Sequence, residues 1–188
     1  MSIAARLLAL ITVSLASLAA QAGWQTYTSA SPAYTISYPP GWRVHTDYQY
    51  EGMGAGRKIA GVAFQIPVSR TALTNLSDTS TQVSVESVPG SGECRAARFL
   101  PDVRDDVARE LTDGGHRWSV ATAEDAGAGN LYTTIVYALL DHSPCLAVRY
   151  VIHSTNILNF TVGGAVTAFD GNALLADFDE IRHTLSVH

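Results

Sequence analysis

The sequence predicts an α+β fold in which an antiparallel sheet carries helices packed on it. The predicted elements form a run of strands, a helix, a second run of strands and a final helix, rather than a strict alternation of strands and helices. Short turns join the strands of the second run, which favours an antiparallel meander. Of the 188 residues, 47% are hydrophobic and 15% are charged, as is typical of a globular protein with a real core.

The first 22 residues predict a secretory signal peptide, followed by a single domain over residues 23–188. Arg6 supplies a short positive region, Leu7 to Leu18 an apolar region, and Ala20-Gln21-Ala22 a small-x-small cleavage site. The apolar run is too short to span a bilayer comfortably, so we expect no membrane insertion after cleavage. We therefore expect a periplasmic or secreted protein of about 166 residues, without an acylated cysteine at the cut.

The first predicted strands lie near the start of the domain. Trp24 to Thr28 is rich in aromatic residues and threonine, which favour strands. Tyr34 to Tyr38 alternates apolar and polar side chains, as a half-buried strand does, and should pair back on the first. Pro39-Pro40-Gly41 ends this strand, and Trp42 to Thr46 begins another extended stretch.

A glycine-rich segment from Tyr48 to Lys58 predicts a flexible loop or hairpin tip. It resembles a phosphate-binding loop, but such a loop precedes a helix, whereas Ile59 to Val68 has the pattern of a strand. Nucleotide binding is therefore not expected. The loop presents Tyr48, Tyr50, Arg57 and Lys58, which leaves two interpretations open: a surface that binds a partner, or a simple flexible tip.

The rest of the chain predicts two helices and five further strands. Thr81 to Val88 predicts a strand. A helix is predicted after Pro101, with Asp102 as N-cap, Val103, Val107 and Leu111 on one face, and Gly114-Gly115 at its end. The later elements are strands at His116 to Glu124, Leu131 to Leu140 and Leu146 to His153, a further strand at Ile157 to Val162, and an amphipathic helix at Phe169 to Leu185.

The two cysteines, Cys94 and Cys145, predict a disulfide. An exported pair in an oxidising compartment most often forms one, and neither the redox-active nor the metal-binding alternative has C-x-x-C spacing here. Closing a loop of this length contributes roughly 4 kcal/mol in the chain-entropy model.

Charge and motif content exclude several classes of function. The net charge is −5, and the chain has one lysine and no cluster of basic residues, so nucleic acid is not an expected partner. Six histidines occur without HxH or HExxH spacing, so we predict no metal site and no cofactor. Asp141-His142-Ser143 contains the residue types of a catalytic triad, but adjacent residues before a proline predict a turn instead.

Arg149 and His153 are the remaining polar candidates. By alternation they share a strand face with Cys145, Ala147 and Val151. They either line a polar groove or lie on a face covered by a helix, with Arg149 paired to an acid such as Glu86 or Asp179. Asp177, Asp179 and Glu180 predict a solvated face of the last helix.

The run Tyr34-Thr35-Ile36-Ser37-Tyr38-Pro39-Pro40-Gly41-Trp42 resembles a signature near the start of PsbP-like domains. The closing run from Phe178 to Leu185 is similar to the helix that ends those domains, in which a Phe–Ile pair packs before a terminal threonine. The resemblance implies an α/β/α sandwich around a twisted antiparallel sheet. It covers a superfamily of photosystem II extrinsic subunits, a Ran-binding nuclear-import factor and bacterial envelope proteins, and so implies no single activity.

The expected function is therefore a non-enzymatic periplasmic binding or accessory role for an envelope protein or a small ligand. The alternative is a hydrolase-type enzyme with a non-contiguous site near Arg149 and His153, which requires those side chains to converge with a carboxylate or hydroxyl.

Overall fold

The computed structural model describes residues 23–54, 56–90, 92–101, 107–161 and 163–188, which contain ten strands and one α-helix. The strands are β1 (Gln25–Ala30), β2 (Ala33–Tyr38), β3 (Arg43–Tyr50), β4 (Ile59–Gln65), β5 (Gln82–Val88), β6 (Arg109–Asp113), β7 (His116–Gly127), β8 (Asn130–Leu139), β9 (Cys145–Thr155) and β10 (Ser186–Val187), and the helix is α1 (Gly171–His183). The predicted signal peptide lies outside the described residues.

Two antiparallel sheets organise the domain. Seven strands form the large sheet in the order β3-β4-β5-β9-β8-β7-β6, and three form a small sheet in the order β1-β2-β10. The predicted meander is confirmed, because β7 pairs with β8 and β8 with β9 along the centre of the large sheet. The predicted pairing of the first two strands is also confirmed in the β1–β2 hairpin.

The main core lies between the large sheet and a layer made by the small sheet and α1. We call the side of the large sheet that faces this layer the inner face and the opposite side the outer face. Ile36 of β2, Phe178 of α1 and Tyr150 of β9 are buried together there. The rings of Trp42 and Phe178 meet edge to face with centroids 5.8 Å apart, an arrangement that aromatic pairs favour.

Helix α1 matches the helix predicted at Phe169 to Leu185. The Asp170 side chain accepts hydrogen bonds from the backbone N–H groups of Asn172 and Ala173, which caps the N-terminus. At the other end, the Thr184 hydroxyl oxygen accepts a hydrogen bond from the N–H of Ser37, 2.8 Å away. The end of α1 is thereby attached to β2.

The predicted α/β/α sandwich is wrong. The described residues contain one α-helix, and it shares its layer with the three-stranded sheet. The outer face is covered in part by residues 94–101, which include the 3₁₀ turn Ala96–Phe99. The structure is thus a mostly β protein built from two antiparallel sheets.

The helix predicted after Pro101 contributes to this error. Its first part, residues 102–106, lies outside the described residues, and its last part forms β6 instead. Gly114 and Gly115 both have positive φ and connect β6 to β7, where Asp113 pairs with His116. Two such residues in a row form the tight turn of a β-hairpin, so the glycines reverse a strand rather than end a helix.

The structure also differs from two smaller predictions. Ile157–Asn159 is a 3₁₀ turn rather than the start of a strand, and Val162 lies outside the described residues. Strand β3 continues beyond the predicted Thr46 to Tyr50, with an irregularity in its pairing between His45 and Tyr48. Tyr48 and Tyr50 therefore belong to a strand and not to a loop.

The disulfide between Cys94 and Cys145 is present as predicted. Both residues are buried, and the bond attaches residues 94–101 to the start of β9 on the outer face. Among the described residues, no helix combines the length and the apolar character that a transmembrane span requires.

Candidate functional site

The outer face is where the sequence candidates come together. Residues 145, 147, 149, 151 and 153 of β9 alternate to this face, as predicted. Cys145 and Ala147 belong to one buried cluster with Phe99 and Leu100 of the covering segment, together with Ala121 of β7 and Val136 of β8. Residues 94–101 therefore bury one part of the outer face, and that part includes Arg149.

Arg149 forms a buried ion pair with Glu86 of the neighbouring strand β5. Its Nε and Nη2 atoms donate to the two carboxylate oxygens at 2.8 and 2.7 Å, and Nη2 also donates to the carbonyl of Phe99 at 2.7 Å. Both side chains have 0% exposure. The Ser84 hydroxyl donates a further hydrogen bond to Glu86. The predicted pairing of Arg149 with an acid is confirmed, with Glu86 as the partner.

Two tyrosines of β3 surround this ion pair. The guanidinium carbon of Arg149 lies 3.4 Å from the centroid of the Tyr50 ring, within cation–π distance. Burial, followed by the negative charge of Glu86, raises the pKa of the Tyr48 phenol well above its usual value, so this side chain stays neutral. The charges of Arg149 and Glu86 are thus used to hold β5, β9, β3 and the covering segment together.

His153 lies four residues further along β9 with partners of its own. Its Nδ1 atom donates to the carbonyl of Thr79 at 2.7 Å, and its Nε2 atom lies 3.1 Å from Oδ1 of Asn130. Its ring stacks on Tyr132 with centroids 4.5 Å apart and planes 18° apart. The structure therefore gives Arg149 and His153 separate partners, with Val151 between them on the same face.

Beyond the covering segment, the outer face forms a concave surface that we call the outer groove. Its volume is about 390 Å³, within the range of ligand pockets. The groove is lined mainly by apolar and aromatic side chains: Tyr50, Gly52, Leu100, Pro101, Ala123, Glu124, Asp125, Tyr132, Thr134 and Val151. A separate depression of about 350 Å³ is lined by residues of both strands of the β7–β8 hairpin, among them Glu124, Leu131 and Thr133.

The strand register explains which residues form the floor of the outer groove. One row across the sheet consists of Asp125, Tyr132 and His153, each opposite the next. Tyr50 is one of the site residues predicted from the sequence, whereas Tyr132 and Asp125 are not. Alternation in the predicted strands assigns each residue to a face, but identifying the row also requires the register between strands, which a sequence pattern alone does not supply.

Arg57 and Lys58, the other candidates of the glycine-rich segment, lie apart from the outer groove. The Nζ atom of Lys58 is 2.5 Å from Oε1 of Glu51, and this hydrogen bond lowers the pKa of the glutamate. Both basic residues, together with Arg98, line a separate cavity of about 340 Å³. The structure thus brings Tyr50 to the groove and leaves the two basic residues elsewhere.

A second polar cluster joins α1 to β6 and β9. Arg182, with 1% of its side chain exposed, donates to Asp113 at 2.6 Å and to Asp179 at 2.9 Å. Tyr150 donates to Asp179 at 2.8 Å. The hydrogen bonds from Arg182 and then His183 lower the pKa of Asp113 to about 2. Asp179 is therefore part of an ion-pair network rather than of a purely solvated helix face.

The remaining residues that were considered as catalytic candidates make contacts that hold the fold. Asp141 pairs with Arg117 at 3.0 Å, and Nδ1 of His142 donates to the carbonyl of Pro144 at 2.8 Å, so this run forms the β8–β9 turn as predicted. Within the described ranges, no three histidine, cysteine or acidic side chains converge as metal ligands.

Comparison with known proteins identifies similar folds. No family model matches the chain, and no curated protein matches it. The chain is similar to a crystal structure of a protein from Bacteroides thetaiotaomicron VPI-5482, with a TM-score of 0.51 and 12% identity over 88% of this chain. It spans 49% of that protein, about half its length.

It is also similar to the solution structure of cyanobacterial PsbP (CyanoP) from Synechocystis sp. PCC 6803, with a TM-score of 0.48 and 14% identity, covering 89% of this chain and 94% of that one. At these identities the likeness concerns the fold alone.

Proposed function

We propose that this protein is an exported, non-enzymatic binding domain that holds its ligand in the outer groove. One observation carries the proposal: the groove has a largely apolar and aromatic floor, while the two polar side chains that the hydrolase alternative requires, Arg149 and His153, are engaged by other protein groups. A site with this composition binds by contact area and stacking. It offers no unengaged acid–base pair at the positions where the hydrolase alternative requires one.

The two aromatic rings of the groove are held in place from behind. Tyr50 rests on the guanidinium of Arg149, and Tyr132 rests on the ring of His153. Both lie on strands of a seven-stranded sheet, which moves less than a loop does. Rings that are already ordered lose little conformational entropy when a ligand stacks on them, which favours binding.

Export is the second part of the proposal. The signal-like sequence of residues 1–22 and the buried disulfide both support it, because disulfides persist in oxidising compartments. Mass spectrometry of protein recovered from the periplasm should find a chain that begins at Gly23 and contains no free thiol. An intact leader on the recovered protein would contradict export.

The binding function is tested with a neutral aromatic dye, N-phenyl-1-naphthylamine, whose fluorescence rises in apolar surroundings. The wild-type protein should bind it, and Thr134→Trp, which fills the floor of the groove, should weaken that binding about tenfold. Thr122→Trp is the matched control, because Thr122 is an exposed residue opposite Ile135 on the other face of the sheet. Equal loss of binding in both variants, or no binding by the wild type, would overturn the proposal.

Catalysis is tested separately on the same purified protein. It should leave a panel of ester, phosphate and peptide substrates unchanged. Turnover that is abolished by His153→Ala but retained in Thr134→Trp would favour the hydrolase alternative over a binding function.

A further inference from the structure

A cleft opens between the two sheets beside the β1–β2 hairpin, and we call it the inter-sheet cleft. Its volume is about 200 Å³. Side chains from both sheets line it, among them Tyr27, Ser29 and Tyr34 of the small sheet and Val85, Ser87 and Leu146 of the large sheet. The last three alternate to the inner face, and two of them belong to the main core. The cleft therefore lies on the opposite side of the large sheet from the outer groove.

Three hydroxyl groups meet on one side of this cleft. Ser29 and Tyr34 lie directly opposite each other in the β1–β2 pair, and Tyr27 shares their face. The Tyr27 and Tyr34 ring centroids are 6.2 Å apart. Burial, followed by the neighbouring Tyr27 phenol, raises the pKa of the Tyr34 phenol well above its usual value, and a hydrogen bond with Ser29 opposes this shift. The Tyr34 phenol therefore stays neutral, with two further hydroxyls beside it.

The surroundings of these hydroxyls carry no available charge. Among the described residues, Glu86 is the one charged residue that lines the cleft, and its carboxylate is bound by Arg149 on the other face of the sheet. That carboxylate is fully buried. Tyr27 and Ser29 are only partly buried, so their hydroxyls are accessible from the cleft. The cleft thus combines neutral hydroxyls with aromatic and apolar surface.

A sugar ring carries the same combination of groups. Its hydroxyls donate and accept hydrogen bonds, as those of serine and tyrosine do, and its C–H faces pack on apolar or aromatic side chains. An ionised ligand would lose its water without gaining a partner of opposite charge, which costs free energy. The volume of about 200 Å³ equals that of roughly six or seven water molecules in the liquid. One sugar ring fits in this space, and an oligosaccharide does not.

We propose that the inter-sheet cleft binds one neutral sugar residue. Its hydroxyls form hydrogen bonds with Tyr27, Ser29 and Tyr34, and one of its C–H faces lies toward Val85 and Leu146. The sugar is either a free monosaccharide or the terminal residue of a glycan, since both present the same ring. This site goes beyond the binding function proposed above and does not depend on the outer groove.

The test is an NMR titration of the isotope-labelled protein with the methyl glycosides of glucose, galactose, mannose and N-acetylglucosamine. At least one glycoside should bind and shift the amide signals of β1 and β2. The double variant Tyr27→Phe with Ser29→Ala removes two hydroxyls and should weaken that binding about tenfold. If none of the four glycosides binds, the cleft holds solvent only and the inference is overturned.

The matched control is Tyr38→Phe with Thr28→Val, which removes a phenol and an aliphatic hydroxyl from the same hairpin at positions that do not line the cleft. It should keep the wild-type affinity, and an equal loss in both double variants would count against the site. Ser87→Leu tests the cleft from the large sheet. It should abolish binding while its circular dichroism spectrum stays that of the wild type, and retained binding would contradict the proposal.

Further comparisons test the chemistry, the source and the place of the ligand. The uronic acid counterpart of the bound glycoside adds one carboxylate and should bind more weakly, and tighter binding would overturn the neutral character of the site. A free sugar that binds more tightly than its methyl glycoside indicates a free monosaccharide, whereas equal binding indicates the end of a glycan. Shifts centred on Tyr132 and Thr134 would place the sugar in the outer groove and overturn this inference, while the binding function would stand.

Discussion

The Tyr50 ring covers the guanidinium of Arg149, with 3.4 Å between the guanidinium carbon and the ring centroid. Tyr50 lines the outer groove, and Arg149 does not. The last residue of β3 therefore separates a buried ion pair from a surface that is open to ligands. One aromatic side chain serves both the interior and the candidate site.

Removing this ring should destabilise the fold. Tyr50→Ala exposes Arg149 to the groove and removes the cation–π contact, so we expect a loss of about 2 kcal/mol in the free energy of unfolding. Tyr50→Phe keeps the ring and should unfold within about 0.5 kcal/mol of the wild type. Urea denaturation followed by circular dichroism measures both. A Phe variant as unstable as the Ala variant would show that the hydroxyl, not the ring, stabilises this region.

Breaking the ion pair should be more costly. Glu86→Gln leaves the Arg149 charge buried without a full partner, and we expect a loss of about 3–5 kcal/mol. Glu93→Gln is the surface control, because Glu93 pairs with Arg95 but is 62% exposed, and it should cost less than about 1 kcal/mol. Similar losses in the two variants would contradict the structural importance of the buried pair.

Asp113 should make stability fall in acid. Its folded pKa of about 2 lies below the ordinary value near 3.8, so its charged form is favoured by folding. This contribution is complete above about pH 4 and is lost as the pH falls toward 2. Asp113→Asn should flatten that part of the curve of melting temperature against pH. An unchanged slope between pH 4 and 2 would exclude Asp113 as its source.

Gly61 should not tolerate a side chain. A Cβ atom placed on it would lie 2.3 Å from the carbonyl oxygen of Val85, which is backbone and cannot move freely. Gly61→Ala should therefore separate β4 from β5 and lower stability by about 1–3 kcal/mol. At Gly127 a Cβ would meet nothing within 4 Å, so Gly127→Ala is the control and should be close to neutral. Thermal unfolding of both variants measures the difference.

The disulfide should stabilise the domain substantially. Replacing Cys94 and Cys145 together by serine removes a bond that spans 51 residues, and the expected loss is about 2–5 kcal/mol. Denaturation under non-reducing conditions measures it. The wild type in reducing agent should approach the double variant. A wild type that keeps its full stability after verified reduction would contradict this prediction.

Much of the fold follows from local patterns in the sequence. The β7–β8–β9 meander was predictable because alternating strands are joined by short turns, and α1 was predictable from the helical spacing of its apolar residues. The helix expected after Pro101 was not correct over β6. Leu111 fits the spacing of a helix and of a strand equally well, and only its pairing with Trp118 across a Gly-Gly hairpin selects the strand.

The candidate site was less predictable than the fold. An acidic partner for Arg149 could be predicted because a buried charge requires one, but the sequence left both Glu86 and Asp179 open as that partner. The groove itself depends on Tyr132 facing His153 across β8 and β9 and on Tyr50 reaching over Arg149. These are long-range relationships, set by strand register and by the path of β3, and no local pattern encodes them.

Strands β8 and β9 contribute side chains to two environments, one on each face of the sheet. Tyr132 and Val151 face the groove, while Tyr137 and Tyr150 face the main core. A ligand that binds only the folded groove stabilises these strands by an amount that rises with the ratio of its concentration to its Kd. Slowed amide hydrogen exchange in β8 and β9 would then identify a natural ligand in a cell extract before its chemistry is known, and would do so without any assay of activity.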